Sequence, residues 1–136
     1  MLSLRFTVWF GFHLARVGFS IMKLVIAVIQ PTKLRAVKQA LVHAGVERIT
    51  ICDSQEFAKH VGREPLYRGM KYRANILRKV TLEIAVNDDY LERTLRVIEH
   101  VAKTGSQGTD GDGKIFVLNI DNAIQIAPET RGPGAI

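Results

Sequence analysis

The sequence TGSQGTDGDGKIFVL, residues 104–118, joins a glycine-rich loop directly to an apolar strand. Glycines let successive backbone N–H groups turn towards an anion, and Lys114 at the edge of the loop supplies a point charge. The stretch therefore predicts a phosphate-binding loop, although it lacks the GxxxxGK[ST] spacing of a P-loop and leads into a strand rather than a helix. A glycine-rich β-turn with a solvated lysine fits the same residues.

Length and charge narrow the class of protein. The chain has 136 residues, which fits one domain, and 19 Lys and Arg against 13 Asp and Glu give a formal charge of +6. This charge suits anionic ligands or an acidic partner, but no basic stripe interleaved with aromatics is present, so we predict no nucleic-acid partner. Cys52 is the only cysteine, which excludes an internal disulfide and favours a reducing, cytoplasmic compartment.

Residues 1–21 differ from the rest of the chain. They are rich in large apolar side chains but are interrupted by Arg5, His13 and Arg16. Neither a membrane-spanning helix nor a signal peptide fits this pattern. A membrane-touching amphipathic extension and a segment outside the working fold both fit, and we favour the second because Met22 begins a regular pattern.

Residues 22–54 predict a strand, a helix and a second strand. The apolar run Leu24–Ile29 is a strand, Thr32 is placed to cap the following helix, and Gly45 ends it. Val46–Ser54 is the second strand. The apolar positions of the helix are Leu34, Val37, Leu41 and Ala44.

The second half repeats this order. Alternating apolar residues from Val80 to Val86 predict a half-buried strand, and Asn87 is placed to cap a helix. After the glycine loop come a strand at 115–120 and a short strand at 123–127, and the tail from residue 128 to 136 is expected to be poorly ordered.

The predicted order of elements is that of an α+β, ferredoxin-like split βαβ fold (βαββαβ). Its two helices cover one face of an antiparallel sheet. The other face keeps apolar residues that nothing in the chain covers, which predicts self-association.

A long excursion, Phe57–Arg78, separates the second and third strands. It contains Gly62, Pro65 and Gly69, and it is rich in Lys and Arg. Excursions of this length are commonly functional or disordered. A solvated hairpin tip and a protruding arm that recognises a partner both fit; in the second case Tyr67, Arg68 and Tyr72 are the anchor residues.

Five segments carry a resemblance to one family. They are MKL (22–24), GREPLYRGMKY (62–72), Lys79, TG (104–105) and GDGKIFVL (111–118). Together they resemble the PII nitrogen-regulatory signal proteins over residues 22–136. The resemblance implies a non-enzymatic homotrimer with ATP or ADP between subunits. It also implies a T-loop (57–78) that docks on ammonium channels or metabolic enzymes, which would recruit the protein to the membrane when the target is a channel.

The resemblance also implies roles for single residues. The nucleotide-binding positions would be Thr50, Lys59, Glu83, Gly111, Asp112, Gly113 and Lys114. Mg²⁺ and 2-oxoglutarate would lie near His60 and Lys79, and the partner would meet Tyr67, Arg68 and Tyr72.

Several residues depart from the family pattern. His60 replaces a glutamine that helps to hold Mg²⁺ and 2-oxoglutarate, and Mg²⁺ prefers oxygen ligands. Gln125 and Ala127 replace two arginines that contact phosphates, and three additional residues enlarge the glycine loop around 106–110.

Two other classes of function fit the same fold. One is a small nucleotide-hydrolysing enzyme that uses Asp112 and Lys114, and the other is a structural or metal-tolerance trimer whose glycine loop is only a turn. No nucleophile–base set and no metal-ligand spacing is present in the sequence, so we predict no catalytic and no metal-binding residue.

Overall fold

A computed structural model describes residues 21–57, 66–67, 70–71 and 76–136. Four of the predicted site residues, Lys59, His60, Arg68 and Tyr72, lie outside the described residues, as does the predicted extension up to residue 20. Tyr67 lies in a short strand, but its side chain is outside the description.

The elements follow the predicted order. In chain order they are β1 (Met22–Ile29), a 3-10 turn (Pro31–Lys33), α1 (Leu34–His43), β2 (Thr50–Phe57), β3 (Leu66–Tyr67), β4 (Met70–Lys71), β5 (Ile76–Asn87), α2 (Asp88–Ala102), a 3-10 turn (Asp110–Asp112), β6 (Gly113–Asn119), β7 (Ile124–Gln125), β8 (Thr130–Arg131) and a 3-10 turn (Gly132–Ala135). The predicted ferredoxin-like α+β fold is confirmed.

The main sheet has the strand order β2-β5-β1-β6, with every neighbouring pair antiparallel. The short strands pair as β3 with β4 and β7 with β8. Because β1 is central and pairs with both β5 and β6, it fixes the position of the glycine loop at the start of β6.

The core lies between one face of this sheet and the two helices. Alternate residues of β1 and β5 point into it, as a period of two requires, and they meet apolar residues of α1 and α2 at helical spacing. The fully buried side chains that join the sheet to the helices are Val25, Ile29, Val37, Leu41, Leu82, Ile84 and Ile98.

The opposite sheet surface, which we call the open face, carries the other alternate residues. On β1 and β6 these are apolar apart from Lys114 at the start of β6, and Phe116 and Leu118 are 51% and 46% exposed. On β2 and β5 they are mostly polar, from Thr50 and Glu83 at one end to Glu56 and Lys79 at the other. The open face therefore has an apolar half and a polar half.

The second strand differs from its prediction. It begins at Thr50 rather than Val46 and continues to Phe57, because its register with β5 runs from Thr50 opposite Glu83 to Phe57 opposite Ile76. Val46 is instead buried in the core. The excursion between β2 and β5 shortens to residues 58–75.

Two predicted helix caps were wrong. Thr32 lies inside a 3-10 turn, and α1 has no side-chain cap. Asn87 occupies the N-cap position of α2, but its side-chain oxygen accepts no hydrogen bond from the helix, and its Nδ2 group donates to the Pro133 carbonyl at 3.3 Å. Gly45 does end α1, with the φ of +90° that a glycine accepts readily.

The prediction of a poorly ordered tail was also wrong. Residues 130–135 form β8 and a 3-10 turn, and the tail is joined to the preceding loop by a bond from the Gly132 N–H to the Ala123 carbonyl at 2.8 Å.

Candidate functional site

The glycine loop lies where β6 begins. Gly113 pairs with Ile29 and Lys114 with Val28, so the loop is held against the end of β1. Gly113 has φ +121° and ψ −164°, a conformation that only glycine adopts readily. A Cβ at this position would lie 1.7 Å from the Val28 carbonyl oxygen. The backbone can therefore lie this close to β1 only because residue 113 has no side chain.

Asp112 holds this loop in shape. Its Oδ1 accepts from the Thr104 hydroxyl at 2.5 Å and from the Thr109 hydroxyl at 3.1 Å. Its Oδ2 accepts from the Thr104 N–H at 2.9 Å and the Thr109 N–H at 2.8 Å. Four donors on one carboxylate close the loop that carries the three additional residues.

These hydrogen bonds favour the charged carboxylate. The Thr104 hydroxyl, followed by the N–H groups of Thr104 and Thr109, holds the pKa of Asp112 well below its usual range. Asp112 is therefore ionised at neutral pH, and its charge is used inside the loop. Its contribution to nucleotide binding stays a prediction, while its structural role was not indicated by the sequence.

Two bonds join the loop region to the end of β1 and the turn after it. The Gln30 amide donates to Asp112 Oδ1 at 3.2 Å, and the Lys33 ammonium donates to the Lys103 carbonyl at 3.0 Å. Both donors come from sequence positions far from the loop, so the sequence alone gave no reason to select them.

Lys79 lies under the loop on the open face. Its side chain is 4% exposed, its ammonium donates to the Gly111 carbonyl, and Glu56 Oε2 lies 3.5 Å away. The structure therefore brings the predicted effector residue Lys79 into contact with the predicted phosphate-binding loop. Glu56 was not predicted, although it is the last acidic residue before the basic excursion.

A cavity lies on each side of the loop, and both are lined by Gly113 and Lys114. One, of about 570 Å³, lies towards α2 and is also lined by Glu99, Lys103 and Thr109. The other, of about 360 Å³, lies on the open face. Its remaining lining includes Ser54, Glu56, Lys79, Thr81, Asp110 and Phe116.

Thr50 and Glu83 form a separate cluster. They pair across β2 and β5, and Glu83 also pairs with Ile26, two residues from the Val28 partner of Lys114. Glu83 and Lys114 are therefore two strands and two residues apart. With strands about 4.8 Å apart and about 3.4 Å per residue, their Cα atoms lie roughly 12 Å from each other. One chain therefore does not bring all of the predicted nucleotide-binding residues together.

Gln125 and Ala127 lie near the C-terminal strands. The Gln125 amide donates to the Ala127 carbonyl at 3.2 Å, and Gln125 lines a third cavity of about 340 Å³ together with Arg48 and Asn87. Asn87 Oδ1 is buried beside this cavity without a hydrogen-bond partner.

The described part of the chain has neither a metal cluster nor a membrane-spanning helix. Its residues include no group of three or more His, Cys, Asp or Glu side chains that could hold a metal ion. They also include no helix with the length and apolar character needed to cross a membrane.

Comparison with known proteins identifies the family. Residues 22–130 match the family model described as "Nitrogen regulatory protein P-II". The chain belongs to the P-II family. The predicted resemblance is thus confirmed, and the family is a regulatory one.

Individual P-II relatives agree over most of the chain. Nitrogen regulatory protein GlnK1 of Methanosarcina mazei is 46% identical over 115 residues, which are 85% of this chain and 97% of the relative. The structure of B. subtilis GlnK has a TM-score of 0.69 at 32% identity, and the match covers 85% of this chain and 98% of the GlnK chain. The structure of a B. subtilis GlnK-ATP complex has a TM-score of 0.68 at 29% identity, and the match covers 85% of this chain and 97% of that chain.

Proposed function

We propose that this P-II protein is a regulator of nitrogen metabolism that binds ATP or ADP between subunits of a homotrimer and controls target proteins through residues 58–75. The observation that carries the proposal is the loop from Gly111 to Lys114, which Asp112 holds in shape and which Lys79 contacts from the open face. The ATP complex of the related B. subtilis GlnK supports the choice of ligand.

The loop has the chemistry that a polyphosphate requires. Gly113 brings the backbone close to β1 and leaves no side chain over the loop, and the exposed Lys114 adds a positive charge at its edge. Because Asp112 already accepts its hydrogen bonds within the loop, its carboxylate is not free to act as a general base. These contacts favour binding over hydrolysis.

The separation of the two clusters supports a site between subunits. Thr50 and Glu83 lie too far from Lys114 to share one phosphate group with it, but a neighbouring copy can supply them across the open face. The apolar half of that face, with Phe116 and Leu118 about half exposed, is suited to contact a second and a third copy.

Nucleotide binding is tested by calorimetry. We expect ATP and ADP to bind the wild-type protein, and Lys114→Gln to weaken ATP binding at least tenfold. The matched control is Lys38→Gln, which removes an exposed lysine of α1 on the far side of the sheet and leaves the affinity unchanged. Equal affinities for the wild type and Lys114→Gln contradict the proposed site.

The rival function of a hydrolase has a separate test. Steady ATP loss at ordinary enzyme rates, of the order of 1 per second or more, would favour catalysis. Slow or absent loss agrees with a regulator.

We propose that the partner is an ammonium channel or a metabolic enzyme, which meets Tyr67, Arg68 and Tyr72. Docking on a channel would bring a cytoplasmic protein to the membrane. The bound nucleotide can control docking only if it prefers one conformation of this segment. We expect the rate of trypsin cleavage at Arg68 to differ between the ATP-bound and ADP-bound proteins, and identical rates contradict the proposal.

Adding Mg²⁺ and then 2-oxoglutarate tests whether His60 and Lys79 bind these effectors.

A further inference from the structure

Lys79 is a buried cation with a carboxylate of its own chain beside it. Its side chain is 4% exposed, and an ammonium group taken so far out of water needs polar partners. The Gly111 carbonyl is one, and Glu56 Oε2 at 3.5 Å is the charged one. Glu56 therefore supplies the negative charge that balances Lys79 in this structure.

Glu56 differs from Lys79 in its access to water. Its side chain is 42% exposed, so it can rotate away without taking a charge into the protein interior. Lys79 has no such freedom because its stem is packed in the sheet. If one member of the pair moves when a ligand arrives, it is Glu56.

The pair lies in the cavity that a ligand would enter. Glu56, Lys79 and Lys114 all line the cavity of about 360 Å³ on the open face. An anionic group placed there is attracted by two ammonium groups and repelled by the carboxylates of Glu56 and Asp110, of which Glu56 is the one beside Lys79. The net attraction depends on whether Glu56 stays next to Lys79.

Glu56 is also the penultimate residue of β2. Phe57 ends the strand, and the segment 58–75 follows. Movement of Glu56 away from Lys79 therefore takes place next to the start of the segment that we propose to contact partners.

We propose that Glu56 determines which anions the site accepts. A ligand phosphate or carboxylate reaches the Lys79 ammonium only by displacing Glu56, which acts as a built-in competitor. This inference rests on the proposed function, in which Lys79 and Lys114 face a bound ligand. The phosphate would come from the nucleotide, and the carboxylate from a small dicarboxylic acid.

Calorimetry on Glu56→Gln distinguishes the two sources. ATP and ADP are titrated in one arm, and 2-oxoglutarate is titrated in the second arm into protein that contains Mg²⁺ and ATP. We expect Glu56→Gln to bind at least one of these anions tenfold more tightly than the wild type. Tightening in the first arm identifies a phosphate at Lys79, and tightening in the second identifies a carboxylate.

Two further variants control the experiment. Asp53→Asn removes an exposed acid of the same strand that faces the other side of the sheet, and its affinities should stay within twofold of the wild type. Glu56→Ala removes the same charge as Glu56→Gln and should change affinity in the same direction. Circular dichroism confirms that each variant is folded.

Unchanged or weaker binding of every anion to Glu56→Gln overturns the inference. If the wild type still binds ATP in that case, the inference about Glu56 fails and the proposed function stands. If the wild type binds no adenine nucleotide at millimolar concentration, the proposed function fails, and the inference fails with it.

Discussion

Replacing Gly113 by alanine tests the central feature of the site. The residue combines φ +121° with ψ −164°, and a Cβ would lie 1.7 Å from the Val28 carbonyl oxygen and 2.8 Å from the Val28 carbonyl carbon. Forcing a non-glycine residue into this conformation costs about 1–3 kcal/mol. The steric overlap with β1 adds about 1–3 kcal/mol. We therefore expect Gly113→Ala to lower the free energy of unfolding by about 2–6 kcal/mol.

The same change should damage ligand binding. The overlap is with backbone atoms of β1, so relief requires the start of β6 to move away from β1. Lys114 follows directly and moves with it, which displaces the ammonium from the loop. We expect the ATP affinity of Gly113→Ala to fall at least tenfold, even at temperatures where the variant is fully folded.

Gly111→Ala is the matched control for stability. A Cβ at residue 111 would meet only the Gln30 amide nitrogen, at an ordinary contact distance of 3.7 Å, and the residue has no left-handed φ. Its effect on the free energy of unfolding should be within about 0.5 kcal/mol. Urea unfolding is followed by circular dichroism without nucleotide and at one protein concentration, because both alter apparent stability. Equal unfolding free energies for the two variants would show that the close approach of Gly113 to β1 does not constrain the loop.

Three other changes test separate parts of the structure. Asp112→Asn should destabilise the loop at neutral pH. Because the folded-state pKa of Asp112 is lowered, the stability that its charge provides is complete above its unfolded pKa of about 3.9 and is lost as the pH falls below that value. The difference in unfolding free energy between wild type and variant should therefore shrink below about pH 4. Thr94→Val removes a buried hydroxyl that donates to the Tyr90 carbonyl at 2.8 Å, and should cost about 0.5–1.5 kcal/mol in urea unfolding while ATP affinity stays unchanged; a loss of ATP binding would contradict a purely structural role. Phe116→Asp places a charge in the apolar half of the open face and should reduce the mass measured by light scattering from three chains towards one, whereas an unchanged mass would mean that the copies associate elsewhere.

Local sequence signals were sufficient for the core of the fold. The alternation from Val80 to Val86 predicted the buried face of β5, and the spacing of Val37 and Leu41 predicted the buried face of α1. These patterns succeed because burial on one face of a strand or helix repeats with the period of that element. The role of Gly45 at the end of α1 was equally predictable from the sequence, because few other residues adopt its φ of +90°.

Contacts between distant residues explain what the sequence did not reveal. Asn87 has the side-chain oxygen of a helix cap, but that oxygen accepts no bond from α2, and the neighbouring Nδ2 group donates to Pro133, 46 residues later. The proximity of Glu56 and Lys79 depends on the register of β2 on β5, which local propensity does not set. The role of Asp112 depends likewise on Thr104 and Thr109 folding back on it.

The distance of roughly 12 Å between Glu83 and Lys114 on one sheet has a practical consequence. If a complete site requires two chains, then filling the site also favours association of those chains. Dilution should then weaken apparent nucleotide affinity, and added nucleotide should hold the assembly together at concentrations where the empty chains separate. Affinities for this protein therefore become comparable only when each is given with the concentration of chains at which it was measured.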